Sequence, residues 1–194
     1  MQAAIDQFRT NINRVRHLGA IYKALKAQTT EVLDLSDILR AELVMAVSAL
    51  DHYIHEVTRL GMVEAYHGSR VRASAFLKFS ISLASVLQGI SNPQSTNLLE
   101  DEIRRQHSYQ SFQRCDKIAD AIRLISDVKL WETVGNSMGI NAKDVKGQLD
   151  LIVDRRNKIA HEADINPTIA LSLPGSRWPI DETLVDNAIN VSSQ

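Results

Sequence analysis

Apolar residues return every three or four positions along most of this chain, and nowhere do they alternate long enough to make a strand. Ile5, Phe8, Ile12, Val15, Leu18, Tyr22 and Leu25 form one such stripe, with Gly19 inside it predicting a bend or break. A second stripe, Leu39, Leu43, Val47, Leu50, Ile54 and Val57, is capped by Ser36 or Asp34 and stopped by Gly61. A third helix is expected after Ser69, carrying Phe76, Phe79, Leu83, Val86 and Leu87. Gly89 to Asn97 reads as the clearest loop. Beyond it come a polar helix from Leu98 to about Gln110 and one capped by Asp116, with Ile118, Ala121, Ile122 and Ile125 inward. Trp131 to Gly139 is a short element ending in glycine. Asn141 caps a helix with Val145, Leu149, Ile152, Val153, Ile159 and Ala160 inward. Pro167, Pro174, Gly175 and Pro179 make 164–179 irregular, with a short extended piece at Thr168–Leu173. The final helix, Asp181 to Val191, is short for a bundle, as if the chain stopped early. A helical stripe is stable only when another helix covers it. The prediction is therefore an all-α bundle with long antiparallel helices as its frame. Residues 1–30 are expected to be an N-terminal helix packed on one compact helical domain, 31–194.

The charge balance narrows the function. Lys and Arg number 22 against 23 Asp and Glu, a net charge of −1. A protein that holds long nucleic acid by charge alone is usually basic. RNA, if bound, must therefore meet a local basic cleft. The single cysteine, Cys115, excludes an intrachain disulfide and a Cys-type zinc site, and reads as a small, partly buried residue. The N-terminus lacks the basic start and apolar run of a signal peptide. The longest charge-free stretch, Phe79 to Leu99, is too rich in Ser, Asn, Gln and Thr to span a membrane. A soluble, cytoplasmic protein is expected.

The segment Arg155-Arg156-Asn157-Lys158-Ile159-Ala160-His161-Glu162-Ala163-Asp164 carries the chemistry. Arginine grips phosphate through two parallel hydrogen bonds. Histidine is the side chain whose ordinary pKa suits proton transfer near neutral pH. A phosphate clamp beside a proton shuttle is what RNA cleavage through the 2′-hydroxyl requires. Asn157 and His161 stand four apart and share a helix face. Arg156 and His161 stand five apart, about 140° round the axis. One helix does not bring both over one phosphate; two facing helices could. The plainer reading is a solvated helix end whose cations favour the helix dipole. His52 and His55, with Asp51 and Glu56, make i, i+4 pairs that faintly resemble a metal site. No third ligand follows, and a polar helix face explains them better. Arg70, Arg72 and Lys78, and Arg104, Arg105, Arg114 and Lys117, could touch an RNA backbone but read first as solvated faces. Trp131 and Trp178 read as buried anchors rather than base-stacking platforms. No glycine-rich phosphate loop, nucleophile elbow or Cys-x-x-Cys pair is present.

Arg156, Asn157 and His161, within Arg-Arg-Asn-Lys-Ile-Ala-His-Glu and with Asp164 just after, resemble the Arg-x4-His motif of the HEPN superfamily, RiboL-PSP type. Leu35 to Glu56 and the stretch from Cys115 to Ile122 are similar too, so that the resemblance covers roughly 30–182. It implies an HEPN-like helical bundle acting as a metal-independent endoribonuclease at a homodimer interface. Arg156 would hold the scissile phosphate, His161 would move the proton and Asn157 would orient either. Arg155, Glu162, Asp51, His55, Asp37 and Arg40 are weaker supporting candidates. No metal and no cofactor is implied. RNA would be the substrate, in defence or toxin–antitoxin biology, with an antitoxin or defence protein as further partner. The alternative is a catalytically silent HEPN module binding RNA, nucleotide or a protein. Ala163 stands where some HEPN toxins carry a tyrosine that an antitoxin modifies, so that control is not available here.

Overall fold

The two longest stripes make the two longest helices, and they pack against each other. In the computed structural model, which describes residues 1–30, 33–91, 97–170 and 176–193, these are α1 (Gln2–Lys26) and α2 (Ser36–Tyr66). A 3-10 turn at Phe76–Lys78 leads to α3 (Leu83–Ser91), α4 (Asn97–His107), α5 (Cys115–Arg123) and α6 (Leu130–Met138). Then come α7 (Ala142–His161), the short α8 (Pro167–Ala170) and α9 (Glu182–Ser193). The fold is all-α. Among the described residues there is no strand, only an isolated bridge between Ile165 and Arg177. None of the described helices is long and apolar enough to cross a membrane.

α2 is the central post, buried on two sides. Leu39, Ala46 and Ala49 meet Ile12, Val15 and Tyr22 of α1 and Val185 and Ile189 of α9. Val47, Leu50 and Ile54 meet Phe112, Ile118 and Ala121 on one flank and Leu149 and Val153 of α7 on the other. Each such side chain taken from water stabilises the fold by about 1.5–3 kcal/mol before entropy is counted. The residues 1–30 therefore share a core with the rest of the chain.

Helix ends follow local chemistry. Asp34 accepts a hydrogen bond from the Ser36 N–H at 2.9 Å, starting α2. Asn141 accepts from the Asp144 N–H at 2.9 Å and caps α7. Gly139, at φ 70°, ends α6 in the left-handed conformation that glycine adopts without strain. Asp181 accepts from the Leu184 N–H at 2.8 Å at the start of α9.

Several expectations are corrected. Gly19 does not break α1, because Glu42 of α2 fills the space where a Cβ would stand, 2.6 Å from its Oε1. Gly61 does not stop α2, because it admits Ile125 against the helix backbone. The helix expected after Ser69 starts later: Gly68 turns the chain at φ 79°, Phe76 lies on the 3-10 turn and Phe79 just past it, and only Leu83, Val86 and Leu87 are on α3, where the Ser82 Oγ accepts from the Ser85 N–H. Gly89, Ile90 and Ser91 are helical, and 92–96 of the expected loop lie outside the described residues. Asp116 sits in the first turn of α5 rather than at its cap. Ala160 is exposed rather than inward. Thr168 to Ala170 are helical, not extended, and 171–173 lie outside the described residues.

Candidate functional site

Packing on α2 decides where the motif goes. Val145, Leu149 and Val153 form the buried stripe of α7, and Arg156 is its next member. At about 100° per residue Arg156 falls about 20° from the centre of that stripe, while His161 falls about 120° round from it. Arg156 is half-buried, and its Nε is shielded from solvent with no acceptor among the described residues. Its Nη1 donates to Asn157 Oδ1 at 3.1 Å, so the motif asparagine orients the motif arginine. His161, the last residue of α7, is exposed.

Just past His161 the chain reverses through two successive left-handed residues, Ala163 at φ 51° and Asp164 at φ 59°. A non-glycine residue there is strained unless its surroundings hold it. Asp164 is 1% exposed and sits between two guanidinium groups. Arg40 Nε donates to its Oδ2 at 2.7 Å. Arg155 Nη2 donates to the same oxygen at 2.9 Å, and Arg155 Nη1 lies 2.6 Å from Oδ1 as an ion pair without hydrogen-bond alignment. Both arginines also donate to the Trp178 carbonyl at 3.0 Å, and Arg155 reaches the Pro179 carbonyl at 3.2 Å. The Trp178 N–H in turn donates to the Asp164 carbonyl at 2.9 Å. Burial pushes the Arg155 guanidinium below its ordinary pKa, against the pull of Asp164 and with Arg40 adding like charge.

The supporting candidates divide accordingly. Arg155 and Arg40 both hold Asp164, and Asp37 pairs with Arg177 and lies 3.6 Å from Arg40. Glu162 is exposed beyond the helix end. Asp51 and His55 are engaged elsewhere. Asp51 accepts from the Phe112 N–H at 2.6 Å and from Gln113 at 3.2 Å, holding the segment that enters α5. The His55 ring packs on Phe112 with centroids 4.4 Å apart. Neither bonds to Arg156, Asn157 or His161 among the described residues. Packing also brings Lys158, Arg177 and Trp178 round the motif. Lys158 Nζ stands 4.7 Å over the Trp178 ring, a cation–π contact across twenty positions that no local pattern announces.

Two grooves flank the end of α7, and neither is lined by Arg156, Asn157 or His161. One, of about 670 Å³, runs between Ala41, Val44 and Met45 of α2 and Ile159, Ala163 and Ile165. The other, of about 800 Å³, lies between α7 and α9 over Leu151, Ile152 and Leu184, with Lys158 and Trp178 at its edge.

Most of the remaining sequence candidates have structural roles. Among the described residues no group of three or more His, Cys, Asp or Glu is placed to hold a metal ion. Arg70 pairs with Glu64, Arg104 with Glu56, Arg105 with Glu102, and Arg114 with Asp154. Burial pushes the Cys115 thiol up to about 12, which makes it a poor nucleophile. Trp131 is a half-buried anchor whose Nε1 donates to the Cys115 carbonyl at 3.0 Å.

No curated protein and no solved structure matches the chain. The RiboL-PSP-HEPN family description matches residues 9–173, from the first third of α1 to beyond the motif turn. With an all-α fold and the Arg-x4-His motif at the exposed end of a packed helix, the chain belongs to the RiboL-PSP-HEPN family.

Proposed function

We propose that this protein is a metal-independent endoribonuclease whose active site is shared by two copies of the chain. The observation that carries the reading is the end of α7. There Arg156 is oriented by Asn157 and holds a buried, unmatched Nε, while His161 projects about 140° away. One copy offers half of a site. Two motif helices facing across a two-fold axis bring the arginine of one beside the histidine of the other. The groove beside the motif supports such a face, since Met45 and Ile165 on it are exposed at 43% and 44%.

In the reaction the 2′-oxygen of the substrate attacks the adjacent phosphorus and the bond from phosphorus to the 5′-oxygen breaks. One copy of His161 takes the 2′-hydroxyl proton, and the other gives a proton to the departing 5′-oxygen. Arg156 offsets the charge on the phosphoryl oxygens as the pentavalent state forms. The products are a 2′,3′-cyclic phosphate and a 5′-hydroxyl. DNA lacks the attacking group and is spared. A near-neutral chain with a local cationic end suits a defined RNA target in defence or toxin–antitoxin biology, with a protein partner to restrain it in the cytoplasm.

The competing reading, a silent module binding RNA, nucleotide or protein, draws on the absence of a described side chain that orients the His161 imidazole within one copy. Cleavage of total tRNA and mixed single-stranded RNA in excess EDTA separates the two. His161→Ala and Arg156→Ala should each lower the rate by about 100-fold or more, and cyclic phosphate ends should come from the unaltered protein alone. Equal rates in all three proteins would sink the nuclease reading.

A further inference from the structure

The buried cluster behind the motif belongs to three distant parts of the chain. Arg40 comes from the second turn of α2, Arg155 and Asp164 flank the motif, and Trp178 and Pro179 follow it. Asp164 is the only carboxylate bonded to either buried guanidinium among the described residues, apart from exposed Asp37 at 3.6 Å. Two cations around one anion leave a unit of positive charge beside a phosphate-binding motif. They also lock a left-handed turn that Ala163 would otherwise avoid. Asp164 lies three residues after His161 on that turn, and its own N–H donates to the Lys158 carbonyl at 2.9 Å. Asp164 therefore ties α7 to α2 through its carboxylate, and the last turn of α7 to Trp178 through its backbone.

We propose that Asp164 is a positioning residue for His161: clamped by Arg40 and Arg155, it fixes the turn that sets the imidazole relative to Arg156 and makes 177–179 part of the site. The inference rests on the nuclease reading for its effect on rate, but not for its effect on the position of His161. Arg40 supports it from the far side. Its fork bonds the Asp164 carboxylate and the Trp178 carbonyl together, a geometry that lysine cannot copy.

The test uses variants of opposite charge. Asp164→Asn raises the local positive charge by one unit, and Arg40→Met lowers it by one. If the cluster acted only through its field, the two would move RNA cleavage in opposite directions. If it positions His161, both should lower kcat at least tenfold while KM changes less than threefold, each measured well below the variant's own melting temperature. Arg40→Lys, which keeps the charge, should lower kcat in the same direction.

The second readout needs no activity. The carbon-bound imidazole proton signals of His161, assigned by their loss in His161→Gln, should move in Asp164→Asn and Arg40→Lys. Those of His17 and His67 should stay in place. Unmoved His161 signals in folded variants would overturn the proposal, and so would opposite effects on kcat. If the unaltered protein cuts no RNA, the nuclease reading falls alone, and the His161 signals still decide whether Asp164 positions that residue.

Discussion

Glu42 and Gly19 meet at the junction of α1, α2 and α9. Glu42 is 2% exposed. Burial, with Asp186 and Glu182 of α9 adding like charge against Lys23, pushes its carboxyl up to about 7. A carboxyl that binds its proton more tightly when folded stabilises fully below its ordinary value of 4.5 and loses that contribution as pH rises through about 7. Glu42→Gln mimics the protonated form. Its melting temperature should equal that of the unaltered protein near pH 4.5 and exceed it at pH 8, the gap opening between. A gap constant with pH would mean that Glu42 titrates normally. Nothing in the sequence marks Glu42, because it lies beside an apolar stripe as a surface residue would. What buries it is a glycine twenty-three positions earlier on another helix. The motif residues Arg156, Asn157 and His161 were legible because their spacing and chemistry are local. The clamp on Asp164 was not, because it needs Arg40 and Trp178, and their proximity is a product of packing.

Helices were legible in their stripes and less so in their ends. Asn141 and Gly139 behave as their chemistry predicts, because cap and turn geometry depend on one or two residues. Gly19 and Gly61 were misleading, because a glycine in a helix can serve a neighbour rather than end the helix. At Gly61 an added Cβ would stand 2.7 Å from Ile125 Cγ2 and 2.9 Å from its Cβ, and Ile125 is itself buried. Gly61→Ala gains helix propensity of about 1 kcal/mol, but overpacking against a stiff β-branched side chain costs about 1–3. The expected net loss is about 1 kcal/mol in urea unfolding, with α2 still continuous by circular dichroism. A gain in stability would show that Ile125, just past α5, can move away. The stretch after Ser69 was misread for another reason: its aromatic and apolar residues have helical spacing, but the backbone leaves α2 at Gly68 in a left-handed turn.

For the whole molecule the fold class was legible, since stripes without alternation permit little besides a helical bundle. The arrangement was not, since the stripes do not say which helix covers which. The central place of α2 gives one consequence for assembly. Its Ala41, Val44 and Met45 share a groove with Ile159 and Ile165 beside the motif, on the face that the proposed pairing needs. Met45→Asp puts a charge there without entering the core, as Met45 is exposed at 43%. It should turn a dimer into a monomer by light scattering, with the melting profile of the single chain kept and RNA cleavage lost together with the dimer. A dimer that survives the change would place the pairing elsewhere.

The clamp also has a place in time. Arg156 and His161 leave the ribosome before Trp178 and Pro179, whose carbonyls complete the grip of Arg40 and Arg155. A nascent chain thus displays its Arg-x4-His motif before it owns the strap that holds the turn behind it. On the proposed nuclease reading, each molecule would therefore complete its site only after 177–179 have emerged and folded against Arg40 and Arg155.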